Sequence, residues 1–137
     1  DQFKDILENA YSAVASSSGR FAQISGFEVV VDLAQEARDP DNPEGQPGHR
    51  VRDVALNDGT MIVMDGIVFP GPALNVATLD FLAGGGDQYP FEDASYTQLG
   101  VPYQQALSNY VAQGLDGVIG ADQYPTGGDG RIVMLGP

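Results

Sequence analysis

The sequence predicts an α+β fold, a mixed β-sheet with two amphipathic helices, within one domain over residues 1–137. Three observations carry that expectation. Apolar residues recur at helical spacing near the start of the chain and again from Tyr103. Short runs rich in β-branched residues, bounded by turn formers, lie between and after those helices. No regular strand–helix–strand repeat runs through the order, which argues against an α/β design.

The elements follow in order. Phe3, Ile6, Leu7, Ala10, Tyr11 and Val14 share a helical face, so Asp1 to about Ala15 is expected to be a helix with Lys4, Glu8 and Asn9 turned outward, ended by SSSG. Gly26 to Leu33 (GFEVVVDL) and Arg50 to Leu56 have the composition of strands. Ala37 to Pro47 (ARDPDNPEGQP) between them has no apolar period and is expected to be a surface loop. Asp58-Gly59 before Met61 to Met64 (MIVM) predicts a hairpin, and Leu74 to Leu79 (LNVATL) a further strand. Pro102 opens a second amphipathic helix carrying Tyr103, Ala106, Leu107, Tyr110 and Val111, and Arg131 to Leu135 (RIVML) ends the chain as a short strand.

Composition bounds the function. Six Lys and Arg stand against 19 Asp and Glu, a formal net charge of −13, which argues against affinity for phosphate backbones or anionic membranes. There is no cysteine, so neither a disulfide framework nor a thiolate metal site is available. No run approaches the roughly 18 to 20 apolar residues that span a bilayer. The sequence begins with Asp rather than Met and is read as a mature, processed or excised piece of something longer.

Few residues invite chemistry. His49 is the only imidazole, and a solvated loop histidine is its plainer reading. No GxSxG elbow surrounds any serine, and Ser16 to Ser18 most simply ends a helix. Asp39, Asp41, Asn42 and Glu44 resemble a fragment of a calcium loop, but the spacing does not match one. The stretch FLAGGGDQYPF (Phe81 to Phe91) stands out more, because three successive glycines cost backbone entropy and usually serve an unusual backbone path or a ligand's close approach. An Asp after the glycines suits paired hydroxyl donors such as a ribose diol rather than a phosphate. Phe81 would offer a flat face for a base. The plainer alternative is an ordinary glycine turn with Phe81 in the core and Asp87 exposed.

GRFAQISGFEVVVDL (Gly19 to Leu33), PGHRVRDVAL (Pro47 to Leu56) and VATLDFLAGGGDQYPF (Val76 to Phe91) resemble, in order and spacing, the C-terminal domain of the 5′-nucleotidase family, which includes bacterial UDP-sugar hydrolases and animal ecto-5′-nucleotidase. YQQALSNYV and the closing GRI resemble that domain's last helix and strand. The resemblance implies a substrate-binding domain whose partner is an N-terminal metallophosphoesterase domain of the same parent chain. That partner would hold two divalent metal ions and perform the hydrolysis, with no cofactor in this chain. It implies that Phe81 is one of two aromatics enclosing the base, that Asp87 binds the ribose hydroxyls, and that Gly85 and Gly86 let the backbone pass close to the nucleoside. A nucleoside or nucleotide ligand, a role in nucleotide catabolism and an extracellular or periplasmic setting are implied in the same way.

The sequence departs from the family pattern in places. The metal ligands are absent, so this chain alone is not expected to be catalytic. A segment resembling NGGGIR and the second stacking aromatic would lie upstream of a helix matching Asp1 to Ala15, and neither motif occurs here. The loop from Ala37 to Pro47 is longer than the usual DLS-x-x-PG link, and Gln88 stands where Gly is common. Two other functions compete: a non-enzymatic extracellular interaction module that keeps the fold without the pocket, and calcium-dependent adhesion through the acidic loop.

Overall fold

The computed structural model describes residues 1–16, 18–91 and 94–136. Two compact units emerge, one formed by residues 1–94 with 130–137 and the other by residues 95–129.

In the first unit, α1 (Gln2–Ala10) precedes a five-stranded sheet of β1 (Phe27–Asp32), β2 (Val51–Leu56), β3 (Met61–Met64), β4 (Ile67–Val68) and β5 (Ile132–Leu135). The strand order is β4-β3-β2-β1-β5. Neighbours are antiparallel except β1 and β5, which run parallel, so the sheet is mixed. In β1, Val29 and Val31 are buried and their neighbours are not, the period-two pattern of a strand with one covered face.

β2 breaks that period for a local reason. Val30 pairs with Asp53 and Val31 with Val51, leaving Arg52 as an extra residue, so Val51 and Val54 both reach the core although three positions apart. A second irregularity leaves Ile62 between the pairs Val54–Val63 and Ala55–Met61, and Ile62 and Val63 are both buried. The expected hairpin forms around Asn57 to Thr60, with Asp58 Oδ1 accepting from Thr60 N at 2.9 Å. A second tight turn follows at Asp65-Gly66, both with positive φ (50° and 78°), which is the geometry a two-residue hairpin requires.

α1 lays Ile6, Leu7, Ala10 and Tyr11 into the core, where Tyr11 meets Phe21 edge to face at 5.4 Å. The outward orientation expected of Glu8 and Asn9 is wrong, since both are fully buried. The Glu8 carboxylate accepts from Arg50 N and Val51 N, each at 3.0 Å, and from Lys4 Nζ at 3.0 Å. In return the Arg50 guanidinium donates to the Tyr11 and Ser12 carbonyls, each at 3.0 Å, just past the end of α1. α1 and β2 are thus clamped reciprocally. The helix is also shorter than expected, giving way to a 3₁₀ turn at Val14–Ser16, and Ser17 of the expected helix-ending loop lies outside the described residues.

No strand forms over Leu74 to Leu79. Its apolar residues have β-like composition, but no ladder partner is available to them, and Val76 and Leu79 stay exposed. The unit of residues 95–129 carries α3 (Tyr103–Asn109), which widens into a π-helical turn at Tyr110–Gly114. The Tyr110 and Tyr124 hydroxyls pair at 2.6 Å, while Tyr103 and Leu107 of the expected apolar face are exposed.

Candidate functional site

The glycine-rich segment folds as one helical turn, α2 (Asp80–Ala83), followed by a 3₁₀ turn at Gly86–Gln88. The two glycines singled out from the sequence play different parts. Gly85 has φ +87° and open space around it, so it serves a left-handed backbone that other residues resist. At Gly86 the reason is contact, because a Cβ there would sit 2.5 Å from Phe81 Cζ and 2.5 Å from the Phe81 carbonyl oxygen. The Phe81 ring therefore lies directly against the Gly86 backbone, and the glycine makes room for it.

The alternative that puts Phe81 in the core does not hold, because Phe81 is 59% exposed. One ring face is supported by the loop while the side chain remains open to solvent. Asp87 is exposed as well, and its carboxylate makes no hydrogen bond or ion pair among the described residues. Its backbone is fixed instead. Asp87 and Gln88 are consecutive non-glycine residues with positive φ (51° and 58°), a conformation costing about 1 to 2 kcal/mol per residue that surrounding contacts must offset.

Those contacts come from three separate segments. Asn9 Nδ2 of α1 and Arg20 Nε both donate to the Asp87 carbonyl, each at 3.1 Å. Arg20 Nη2 donates to Gln88 Oε1 at 2.8 Å, and Gln88 Nε2 donates to Asp41 Oδ1. The buried Tyr89 hydroxyl donates to the Arg20 carbonyl at 2.6 Å, and Gln2 Nε2 donates to the Phe91 carbonyl at 2.7 Å. Burial first and the Asp87 charge second push the Tyr89 phenol up to about 12, against a pull downward from Arg20. Sequence reasoning missed Asn9, Arg20, Asp41 and Tyr89. The GRF motif contained Arg20, but nothing in the sequence joins it to a loop 67 residues away.

The acidic loop is closed on itself. Asp39 N donates to the Gln46 carbonyl at 3.0 Å and Gln46 Nε2 to the Ala37 carbonyl at 2.7 Å, while Asp39 Oδ1 accepts from Asp41 N at 3.0 Å. Arg38 is buried beneath it, 3.8 Å from Asp5. His49 is exposed. Among the described residues no group of three or more His, Cys, Asp or Glu side chains is arranged to hold a metal ion.

The family model described as 5'-nucleotidase, C-terminal domain, matches residues 1–94. The chain belongs to the 5′-nucleotidase family. The match contains the sheet strands β1 to β4, the glycine-rich loop and every residue that fastens it. Among solved structures, the chain is similar to the crystal structure of a 5'-nucleotidase precursor from Thermus thermophilus, with 26% identity and a TM-score of 0.67 over 99% of this chain. It spans 24% of that protein's length. No curated protein matches. The α+β architecture is that of a 5′-nucleotidase C-terminal domain, and among the described residues no helix is long and apolar enough to cross a membrane.

Proposed function

We propose that this chain is the nucleotide-recognition domain of a 5′-nucleotidase-like phosphohydrolase acting in nucleotide catabolism. Phe81 receives one face of the base, Asp87 accepts the two ribose hydroxyls, and the backbone of Gly85 and Gly86 lets the nucleoside approach. The observation that carries this reading is the pairing of an exposed aromatic, backed by Gly86, with an exposed carboxylate that has no partner among the described residues and a backbone held by Asn9 and Arg20. An ionised carboxylate has acceptor sites for both hydroxyls of a diol, and its fixed main chain spares the ligand the entropy of ordering it.

On this reading the phosphate is delivered to two divalent metal ions held by an N-terminal metallophosphoesterase domain of the same parent protein. Family membership supports that division of labour, as does the fraction of the Thermus protein that the chain spans. The acidic surface fits a small-molecule ligand rather than nucleic acid, and the family resemblance implies an extracellular or periplasmic setting.

The test is nucleotide hydrolysis by the full-length natural protein carrying Phe81→Ala or Asp87→Ala. Loss of a stacking face is worth about 1 to 3 kcal/mol, so Phe81→Ala should lower kcat/KM by about 5- to 150-fold. Asp87→Ala should lower it for ribonucleotides and leave 2′,3′-dideoxynucleotides nearly unaffected. Unchanged kinetics in both variants would overturn the assignment of base and ribose recognition to Phe81 and Asp87, and no nucleotide hydrolysis by the wild type would leave the non-enzymatic interaction module as the better reading.

A further inference from the structure

The Asp87 main chain is held by side chains from segments distant in sequence. Two successive left-handed non-glycine residues do not hold themselves, and the structure provides one connected set of side-chain donors and acceptors across them. Arg20 is its centre. Its Nε takes the Asp87 carbonyl and its Nη2 takes the Gln88 carboxamide oxygen, so a single planar guanidinium spans both left-handed residues. Its own carbonyl is held by the Tyr89 hydroxyl at 2.6 Å and its Nη1 lies 3.4 Å from Ser12 Oγ. The Gln88 carboxamide is then used at its other end, where Nε2 donates to Asp41 of the acidic loop. Asn9, fully buried on α1, adds the second donor to the Asp87 carbonyl.

We infer that Arg20 is a positioning residue for ribose recognition, holding Asp87 in the left-handed conformation that presents its carboxylate, with the Asp41–Gln88 bond tying the acidic loop into the same support. This inference rests on the proposed role of Asp87. It gives the acidic loop a function that its spacing as a calcium loop did not, and it explains the glutamine at position 88, whose amide has a partner at each end. Arg20 is suited to the role by geometry rather than charge, since a lysine has no second donor in a fixed plane with the first.

The experiment compares kcat/KM for a ribonucleoside 5′-monophosphate with that for its 2′,3′-dideoxy counterpart in the full-length natural protein. The ratio of the two reads hydroxyl recognition, and a loss of overall folding or of metal chemistry would lower both values without changing it. Arg20→Ala is expected to lower the ratio about tenfold, and Arg20→Lys to behave like Arg20→Ala because the fork is lost. Gln88→Ala, at an exposed position that threatens folding less, is expected to lower it about threefold.

Asp87→Ala separates this inference from the reading beneath it. If Asp87→Ala collapses the ratio while Arg20→Ala and Gln88→Ala keep it at the wild-type value, the positioning role is overturned and the ribose role of Asp87 stands. If Arg20→Lys retains the full ratio while Arg20→Ala does not, charge rather than the fork is responsible and the bridging role is overturned. If Asp87→Ala leaves the ratio unchanged, the ribose role itself fails, and the positioning inference with it.

Discussion

Replacing Gly84, Gly85 and Gly86 one at a time by alanine should produce three different stabilities, although the residues are chemically identical neighbours. Gly84 has an ordinary φ of −82°, and a Cβ there would meet nothing closer than the Asp80 carbonyl oxygen at 3.4 Å. Gly84→Ala therefore restricts the unfolded chain without straining the folded one, a gain of about 0.4 to 1 kcal/mol. Gly85→Ala has open space but must take φ +87°, so the left-handed cost of about 1 to 2 kcal/mol outweighs the same gain and the net loss is about 1 kcal/mol. Gly86→Ala brings a Cβ to 2.5 Å from two Phe81 atoms, where ordinary contact begins at 3.4 Å. The ring can swing away but the Phe81 carbonyl, being helix backbone, cannot do so without moving α2. Overpacking of that kind costs about 1 to 3 kcal/mol. Urea denaturation followed by far-UV circular dichroism gives the three values on a common slope. If Gly86→Ala were as stable as Gly84→Ala, the claim that Gly86 exists to seat the Phe81 ring would be wrong.

Other consequences follow from the same contacts. Glu8→Ala strands two backbone N–H groups at the start of β2 together with the Lys4 ammonium, and should cost about 3 to 5 kcal/mol in the same denaturation assay, with Glu8→Gln, which keeps one acceptor, costing clearly less. The Tyr89 phenol is held up at about 12 from 10.0, so the stability it contributes is complete below pH 10 and is lost as the pH climbs toward 12. Tyrosinate absorbance compared between wild type and Tyr89→Phe should show that one phenol ionising late, and Asp87→Asn should bring it to lower pH by removing the nearby negative charge. Arg50→Ala should fray the end of α1, seen as earlier hydrogen exchange at Tyr11 and Ser12 than in the wild type.

Much of the sheet was legible in local composition. β1 and β2 fall where β-branched runs sit between turn formers, and the Asp58-Gly59 hairpin and β5 lie where the sequence puts them. Leu74 to Leu79 has the same composition and forms no strand, because strand formation needs a neighbouring ladder and composition does not supply one. The loop around Phe81 and Asp87 was visible as a glycine anomaly, and its resemblance to the 5′-nucleotidase C-terminal domain agrees with the family match.

What the sequence by itself determined, then, is most of the inventory: which segments are extended or helical apart from Leu74 to Leu79 and the end of α1, which loop is unusual, and which aromatic and carboxylate flank its glycines. The tertiary structure decided where polar side chains go. A helical wheel turns Glu8 and Asn9 toward water, since an unpaired buried carboxylate or amide is costly. That cost is offset by partners distant in sequence, the N–H groups of Arg50 and Val51 for Glu8 and the Asp87 carbonyl for the Asn9 Nδ2, while the buried Asn9 Oδ1 has no partner among the described residues. The register of β2, shifted by one residue at Arg52, and the spanning of Asp87 and Gln88 by Arg20 belong to the same class. Each is a hydrogen-bonding decision between segments far apart along the chain, and no local pattern of residues encodes its partner.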